Sequence, residues 1–188
     1  MNTIPRSEHP KPQFQRDSWM NLNGQWAFEI DNGRSGKARG LHQADAQLSD
    51  TILVPFCPQS QLSGVNHKDF LYGVWYRRTF ELTKEQLSGR VALHFGAVDY
   101  RCEAFVNGVS VGTHTGGYVS FCFDVTEAVR EGENVLTVYA EDDERDPLIP
   151  RGKQSELFYS HGCDYTRTTG IWQTVWLEFL PETHIEKI

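Results

Sequence analysis

YRCEAFVNGVSVGTH, residues 100–114, is the stretch that decides the fold. Two runs with alternating apolar residues, 100–106 and 109–114, stand on either side of Asn107-Gly108. Both turn residues tolerate the positive φ of a type I′ turn, and this pair between two apolar runs is the strongest short signal of a β-hairpin. The sequence therefore predicts two antiparallel strands joined by a two-residue turn.

Strand-like alternation continues on both sides of this hairpin, with turn residues at regular spacing. We predict further strands at 21–30, 51–54, 73–82, 90–95, 120–125 and 133–141. A helical signal appears at Thr126, whose hydroxyl could cap one turn ending at Arg130. Many short strands with almost no helix signal predict an all-β, antiparallel jelly-roll β-sandwich.

A last strand is predicted at 171–179, after the turn signal Thr168-Thr169-Gly170. One face of this strand would carry Ile171, Gln173, Val175, Leu177 and Phe179. The other face would carry Trp172, Thr174, Trp176 and Glu178. We expect the face rich in Ile, Val, Leu and Phe to be buried and the strand to close a sheet.

Length and charge limit the classes of function. The chain has 188 residues, of which 39% are hydrophobic, enough for one substantial core and one domain. A net charge of -7 with scattered basic residues argues against nucleic-acid binding. No apolar run approaches the roughly 20 residues that span a bilayer, and the first residues lack the apolar stretch of a signal peptide. We therefore expect a cytoplasmic protein with no nucleic-acid or membrane partner.

The first eighteen residues differ in composition from the rest. Pro5, Pro10 and Pro12 oppose a helix and favour an extended segment on the surface. We predict a loose amino-terminal arm at 1–18, followed by one folded domain at 19–181.

Residues with reactive side chains form no recognisable catalytic or metal-binding motif. The four cysteines are Cys57, Cys102, Cys122 and Cys163, and none forms a CxxC pair. Cys102 and Cys122 fall in predicted strands, so we expect both to be buried free thiols. The isolated His94 and His114 are expected to be structural.

The segment 142–169 interrupts the strand pattern with a long and strongly charged connection. It carries Asp142, Asp143, Asp146, Arg151, Lys153, Tyr159, His161, Asp164 and Arg167. A solvated excursion and a loop that reaches into a neighbouring domain's site both fit this composition. Four aromatic residues could stack on sugar rings or, as is commoner in sandwiches, belong to the core: Trp19, Trp75, Tyr118 and Trp172.

Several short motifs occur in one order along the chain. They are Asn21-Leu22-Asn23-Gly24-x-Trp26-x-Phe28, Val54-Pro55, Tyr76-Arg77-Arg78-x-Phe80, Val106-Asn107-Gly108, Gly112-x-His114-x-Gly116-Gly117-Tyr118-x-x-Phe121, Phe123-Asp124-Val125-Thr126, Gly132-Glu133-Asn134 and Gly170-Ile171-Trp172. Together they resemble the N-terminal sugar-binding domain of glycoside hydrolase family 2, the family of β-galactosidases and β-glucuronidases. The resemblance spans residues 19–181.

The resemblance implies a galactose-binding-domain-like jelly roll, followed by an immunoglobulin-like domain and a (β/α)₈ barrel in a homo-oligomeric enzyme. In that family two barrel glutamates carry out retaining hydrolysis. No acidic residue of this chain matches the catalytic motifs, so no catalytic residue is assigned and residues 182–188 would begin a linker. No cofactor is expected in this chain, whereas the longer enzyme could hold a Na⁺ or Mg²⁺ ion.

The resemblance also supplies candidate substrate-binding residues. An aspartate past the penultimate strand helps to hold the sugar in galactosidases of the family, directly or through a cation. Asp142 matches that position, and Asp143 is the alternative by one residue. Second-rank candidates for substrate or interdomain contacts are Arg151, Lys153, Tyr159 and Arg167.

Three classes of function stay open at this point. The first is a noncatalytic substrate-shaping module of a retaining β-glycosidase, and the departure of 151–154 from the glucuronidase branch favours a β-galactoside over a β-glucuronide. The second is a free-standing, lectin-like carbohydrate-binding module. The third is a structural or oligomerisation domain. In the first class, 142–169 would select the substrate and would be poorly ordered in the isolated domain.

Overall fold

Two antiparallel sheets packed face to face form the fold of the computed structural model, which describes residues 4–186. The strands are β1 (Trp19–Asn21), β2 (Gly24–Ile30), β3 (Asp50–Val54), β4 (Gly73–Leu82), β5 (Arg90–Phe95), β6 (Val98–Asp99), β7 (Arg101–Val106), β8 (Val109–Thr115), β9 (Phe121–Asp124), β10 (Gly132–Glu141), β11 (Gly170–Ile171) and β12 (Val175–Leu180). Short 3₁₀ turns occur at Pro12–Phe14, Gln61–Ser63 and Glu85–Leu87. The ends of the predicted arm and linker, 1–3 and 187–188, lie outside the described residues.

The strand order confirms the all-β, antiparallel jelly-roll sandwich. One sheet has the order β3-β2-β4-β10-β7-β8 and the other has the order β1-β12-β5-β9, while β11 and β6 form a two-stranded ribbon. The core fills the space between the sheets, where Phe28 and Tyr76 of the first sheet and Leu93, Phe95 and Leu177 of the second are almost fully buried. Within residues 4–186, no helix has the length and apolar character needed to cross a membrane.

The predicted hairpin is confirmed. Asn107 and Gly108 have φ angles of 52° and 83°, so both residues use the positive φ that favours an Asn-Gly pair. The Asn107 side chain donates to the Ala128 carbonyl at 2.8 Å and accepts from the Val135 backbone N–H at 3.0 Å. The turn is therefore fixed both by its own backbone preference and by hydrogen bonds to neighbouring segments of the same chain.

The predicted last strand, 171–179, is wrong as a single element. β11 pairs with β6, whereas β12 pairs with β1 and β5 in a different sheet. Between the two strands, the Trp172 indole N–H donates to the Gly117 carbonyl at 2.8 Å. The break depends on pairing with a distant segment, which alternation along 171–179 does not encode.

The amino-terminal arm lies against the sandwich and is not loose. His9 is 6% exposed, and its ring centroid is 4.6 Å from that of Trp19 and 6.2 Å from that of Trp176. Arg16 donates from Nε to the Glu178 carboxylate at 3.4 Å. Because the arm covers this face of β12, both Trp176 and Glu178 are buried.

Two local expectations are also wrong. The Thr126 hydroxyl does not cap a helical turn: it donates to Asp124 Oδ1 at 2.5 Å and accepts from the Val91 backbone N–H at 3.0 Å. Cys122 is exposed, since β9 is an edge strand, whereas Cys102 is buried as expected. All four cysteines are free thiols.

Candidate functional site

Residues 142–169, here called the site loop, connect β10 to β11 at the end of the sandwich opposite the Asn107-Gly108 turn. The loop is folded, in contrast to the expectation of poor order. Five of its residues are at most 3% exposed: Asp142, Gln154, Ser155, Arg167 and Thr169. Its two halves are joined where Ser155 N–H donates to the Tyr165 carbonyl at 2.8 Å and Tyr165 N–H donates to the Lys153 carbonyl at 2.9 Å.

Arg167 organises the interior of the loop. Its guanidinium donates to the backbone carbonyls of Ser155, at 3.1 Å, and of Leu157 and Lys68. The guanidinium carbon also lies 4.2 Å from the centre of the Phe70 ring, a cation–π contact. The role of Arg167 in substrate or interdomain contacts stays a prediction, but in this domain its side chain is 1% exposed and its Nη groups bind backbone carbonyls.

Three acidic side chains, here called the acid cluster, are buried: Asp99 of β6, and Asp142 and Glu144 at the start of the loop. Burial raises the pKa of Asp99 to about 6. Burial, followed by the negative charge of Glu144, raises the pKa of Asp142 strongly. Burial also raises the pKa of Glu144, against the opposing effect of the positive Arg167.

Asp142 consequently differs from the ionised strand-end carboxylate expected from the sequence. It is 2% exposed, its raised pKa keeps it a neutral acid near neutral pH, and its Oδ2 has no hydrogen-bond partner among the described residues. Asp143 is half-buried, and its Oδ1 accepts from the Arg145 backbone N–H at 3.2 Å, which makes it a turn residue. Neither carboxylate is displayed on the surface of the loop.

Two glutamine side chains, Gln59 and Gln154, connect the acid cluster to the start of β11. Gln154 donates from Nε2 to Asp99 Oδ2 at 2.8 Å and to the Tyr118 hydroxyl at 3.0 Å, while its Oε1 accepts from Thr168 N–H. Gln59 donates to Thr169 Oγ1 at 2.9 Å and accepts from Thr169 N–H at 3.2 Å. Both side chains are buried, and the nitrogen and the oxygen of each amide make hydrogen bonds.

The outer surface of the loop, here called the loop face, presents aromatic and charged groups to solvent. Its exposed members are Lys153, Glu156, Phe158, Tyr159 and Tyr165. Its half-buried members are Arg151, His161 and Asp164. Arg151 is paired with Glu156, with Nη1 2.8 Å from Oε2. Tyr159 is 65% exposed, and Lys153 is also exposed. Three predicted site residues, Arg151, Lys153 and Tyr159, thus lie on the outside of the loop, and Arg151 and Tyr159 are linked there through Glu156 and His161.

Part of the loop face has a metal-ligand composition. Ligand atoms of Glu156, His161 and Asp164 lie within 4.8 Å of one another. The His161 Nε2 atom is 3.9 Å from Glu156 Oε1 and 3.7 Å from Asp164 Oδ2. A divalent cation could bridge such groups, but Arg151 already supplies a positive charge to Glu156.

The four aromatic residues considered for sugar stacking separate into core and surface. Trp75 is fully buried and stacks on Tyr139 at 4.6 Å, so it is core. Trp19 is half-buried under the arm. Tyr118 is 50% exposed and lies next to the loop, with its hydroxyl donating to the Arg151 carbonyl at 2.9 Å. Trp172 is half-buried, with its ring 6.1 Å from that of Tyr118.

Sequence reasoning missed several residues of the site. Asp99 lies in a two-residue strand and Gln59 in an irregular segment, and no local pattern links either of them to the site loop. His161 and Asp164 were among the charged residues of the loop, and their spacing fits a tight turn: each donates its backbone N–H to the carbonyl of the other. That turn signal was available at Gly162, which has a φ of 52°.

An antiparallel β-sandwich with aromatic and charged side chains on a terminal loop is typical of carbohydrate-binding domains. The sequence profile described as "Glycosyl hydrolases family 2, sugar binding domain" matches residues 19–181, and the chain belongs to this family.

Relatives and solved structures agree with this assignment. A beta-galactosidase of Thermoanaerobacter pseudethanolicus is 34% identical over 123 residues, which are 64% of this chain and 16% of that protein. A putative beta-glucuronidase of Formosa agariphila is 29% identical over 182 residues, 97% of this chain and 21% of that protein. The fold matches the beta-glucuronidase of Ruminococcus gnavus with a TM-score of 0.71 at 23% identity, covering 90% of this chain and 30% of that one. The chain thus spans between 16% and 30% of the length of these proteins.

Proposed function

We propose that this domain forms part of the substrate site of a retaining β-glycosidase and that the loop face contacts the sugar. The observation that carries the proposal is that the exposed Tyr159 and the half-buried Asp164 both lie next to His161, above a backbone held by buried side chains. An aromatic ring can stack on the apolar face of a sugar, and a carboxylate can accept two hydroxyl hydrogen bonds. A rigid base beneath such groups reduces the entropy lost on binding.

The charges of the loop favour a β-galactoside over a β-glucuronide. A glucuronide carboxylate requires a free cationic partner, for which arginine is the usual choice. Arg151 is already paired with Glu156, and Arg167 is buried against backbone carbonyls. Lys153 is the remaining exposed cation among the predicted site residues. Neither arginine is thus free to hold a carboxylate with two parallel hydrogen bonds, and Lys153 offers only a single point charge, so a neutral sugar fits the loop face better than an anionic one.

The acid cluster has a supporting role in this proposal. Asp142 is buried at the start of the loop as a neutral acid, whereas the half-buried Asp164 supplies a carboxylate on the outside of the loop. In the complete enzyme, further domains would add the catalytic groups, any Na⁺ or Mg²⁺ ion and the subunit contacts. A cytoplasmic location likewise stays a prediction.

Kinetics of the complete enzyme test the proposal. Tyr159→Ala and Asp164→Asn should each lower kcat/KM on an aryl β-galactoside by roughly tenfold, the effect of losing one charge-assisted or stacking contact. Val109→Ala, an exposed apolar change at the opposite end of the sandwich, is the matched control. Changes below about threefold in both site variants, with normal folding, would remove the loop face from the site. Sugar binding by the 188-residue chain alone with micromolar affinity would instead support the lectin-like module.

A further inference from the structure

We infer that Gln154 and Gln59 are positioning residues that hold the loop face in its binding geometry, an inference that rests on the proposed function of that face. Neither side chain reaches the surface, since Gln154 is 3% and Gln59 is 4% exposed. Each of them nevertheless binds the backbone of one of the two residues that precede β11, Gln154 that of Thr168 and Gln59 that of Thr169.

The two side chains act on successive backbone groups. The amide oxygen of Gln154 accepts from Thr168 N–H, and the amide oxygen of Gln59 accepts from Thr169 N–H. These N–H groups have no partner in the strand ladder at this point, because β11 begins only at the next residue. A buried backbone donor without a partner is costly, so the two amides fix the path of the chain where the loop ends.

Gln154 also links the base of the loop to its outer surface. Its Nε2 donates both hydrogens, one to Asp99 and one to the Tyr118 hydroxyl, and that hydroxyl in turn donates to the Arg151 carbonyl. Its neighbours Lys153 and Ser155 make the two backbone hydrogen bonds to Tyr165. The buried amide thus lies where the two halves of the loop meet, and it is connected through Tyr118 to Arg151 of the loop face.

The pattern of donors and acceptors around Gln154 requires an amide side chain at residue 154. Leucine has a similar volume but leaves Thr168 N–H and Asp99 without the Gln154 amide, and the Tyr118 hydroxyl keeps only its bond to the Arg151 carbonyl. Glutamate retains the acceptor for Thr168 but, when ionised, places a second carboxylate against Asp99. A protonated glutamate could share one proton with Asp99 and restore the contact, so its effect depends on pH.

Hydrogen exchange of individual backbone amides in the 188-residue chain tests this inference without any ligand. Gln154→Leu should lower the protection factor of Thr168 N–H by on the order of tenfold, and Gln59→Leu should do the same at Thr169 N–H. Amides of the β4–β10 ladder should keep their protection in both variants. Gln61→Leu, an exposed glutamine in the same segment as Gln59, is the matched control and should change neither amide.

Gln154→Glu separates positioning from a general loss of stability. Its Thr168 protection factor should be low at pH 8 and return to within about threefold of the wild-type value at pH 5, whereas the leucine variant should stay low at both. Unchanged Thr168 protection in Gln154→Leu, or an equal loss across the β4–β10 ladder, would overturn the inference.

Kinetics of the complete enzyme then address the link to function. Gln154→Leu should raise KM for the aryl β-galactoside about tenfold and change kcat by less than threefold, because the loop face of this variant must become ordered when the sugar binds. A local loss of protection with unchanged KM would leave the amides as anchors of the loop and refute the proposed role of the loop face.

Discussion

The imidazole of His9 lies 3.6 Å from the carboxylate of Glu178, where the amino-terminal arm meets strand β12. His9 lies next to Oε1, which also accepts from the Trp176 indole N–H at 2.9 Å. The second oxygen, Oε2, is 3.5 Å from His94 Nε2 and 3.4 Å from Arg16 Nε. Burial alone would raise the pKa of Glu178, but the close approach of His94, the hydrogen bond from Trp176 and the positive charge of Arg16 lower it to about 2. The arm is therefore joined to the sandwich through one buried anion.

Replacing Glu178 should weaken this junction. Glu178→Gln keeps the shape of the side chain but removes the charge, so we expect the free energy of unfolding at pH 7 to fall by about 2 kcal/mol. Because the folded pKa lies below the unfolded value, the contribution is present above about pH 4.5 and is lost as the pH falls toward 2. Urea denaturation at pH 7 and pH 3 measures both effects.

The control for this change is Glu182→Gln, which alters an exposed glutamate near the end of the described chain. It should change the free energy of unfolding by less than about 0.5 kcal/mol. Equal stability of Glu178→Gln and the wild type at pH 7 would contradict the role of this anion.

Neutralising Asp142 should raise the free energy of unfolding at alkaline pH, whereas neutralising Glu178 should lower it. The folded pKa values of the acid cluster are raised above the unfolded ones, so folding binds protons and the cluster lowers stability as pH rises. The loss begins above about pH 4 and continues through pH 6, where Asp99 ionises, and beyond. Asp142→Asn cannot ionise, and we expect it to be more stable than the wild type at pH 8 by on the order of 1 kcal/mol.

Thermal unfolding of both proteins at pH 5 and pH 8 checks this expectation. The difference in midpoint between Asp142→Asn and the wild type should be larger at pH 8 than at pH 5. Asp143→Asn, the half-buried neighbour, serves as the control. A difference that is the same at both pH values would show that folding does not raise the pKa of Asp142.

Arg167 and Arg145 provide a direct comparison of a buried and an exposed cation on the same ring. Their guanidinium carbons are 4.2 Å and 3.8 Å from the centre of Phe70. Arg167→Lys cannot reach three carbonyls in the same planar geometry, so it should lower the free energy of unfolding by about 3 kcal/mol. Arg145→Lys should cost less than about 1 kcal/mol, the size of an exposed cation–π contact.

Limited proteolysis adds a local measurement to these stabilities. Cleavage within the site loop should become faster in Arg167→Lys and stay at the wild-type rate in Arg145→Lys. Equal cleavage rates in the two variants would mean that the buried guanidinium does not hold the loop.

The sequence predicted what depends on neighbouring residues and missed what depends on distant ones. The Asn107-Gly108 turn was predictable because both residues carry their own backbone preference. The division of the last strand was not, because it requires β6 to pair with Gly170–Ile171. In the same way, the charge state of Asp142 depends on Glu144 and on the packing of the whole loop.

The most direct measurement is a titration of the ¹⁵N-labelled chain with methyl β-galactoside and methyl β-glucuronide, followed by backbone chemical shifts. We expect the galactoside to perturb residues 151–165 of the loop face, with weak affinity, and the glucuronide to perturb them less at equal concentration. Perturbations confined to another surface, or none at any soluble concentration of either sugar, would contradict the claim that the loop face contacts the sugar.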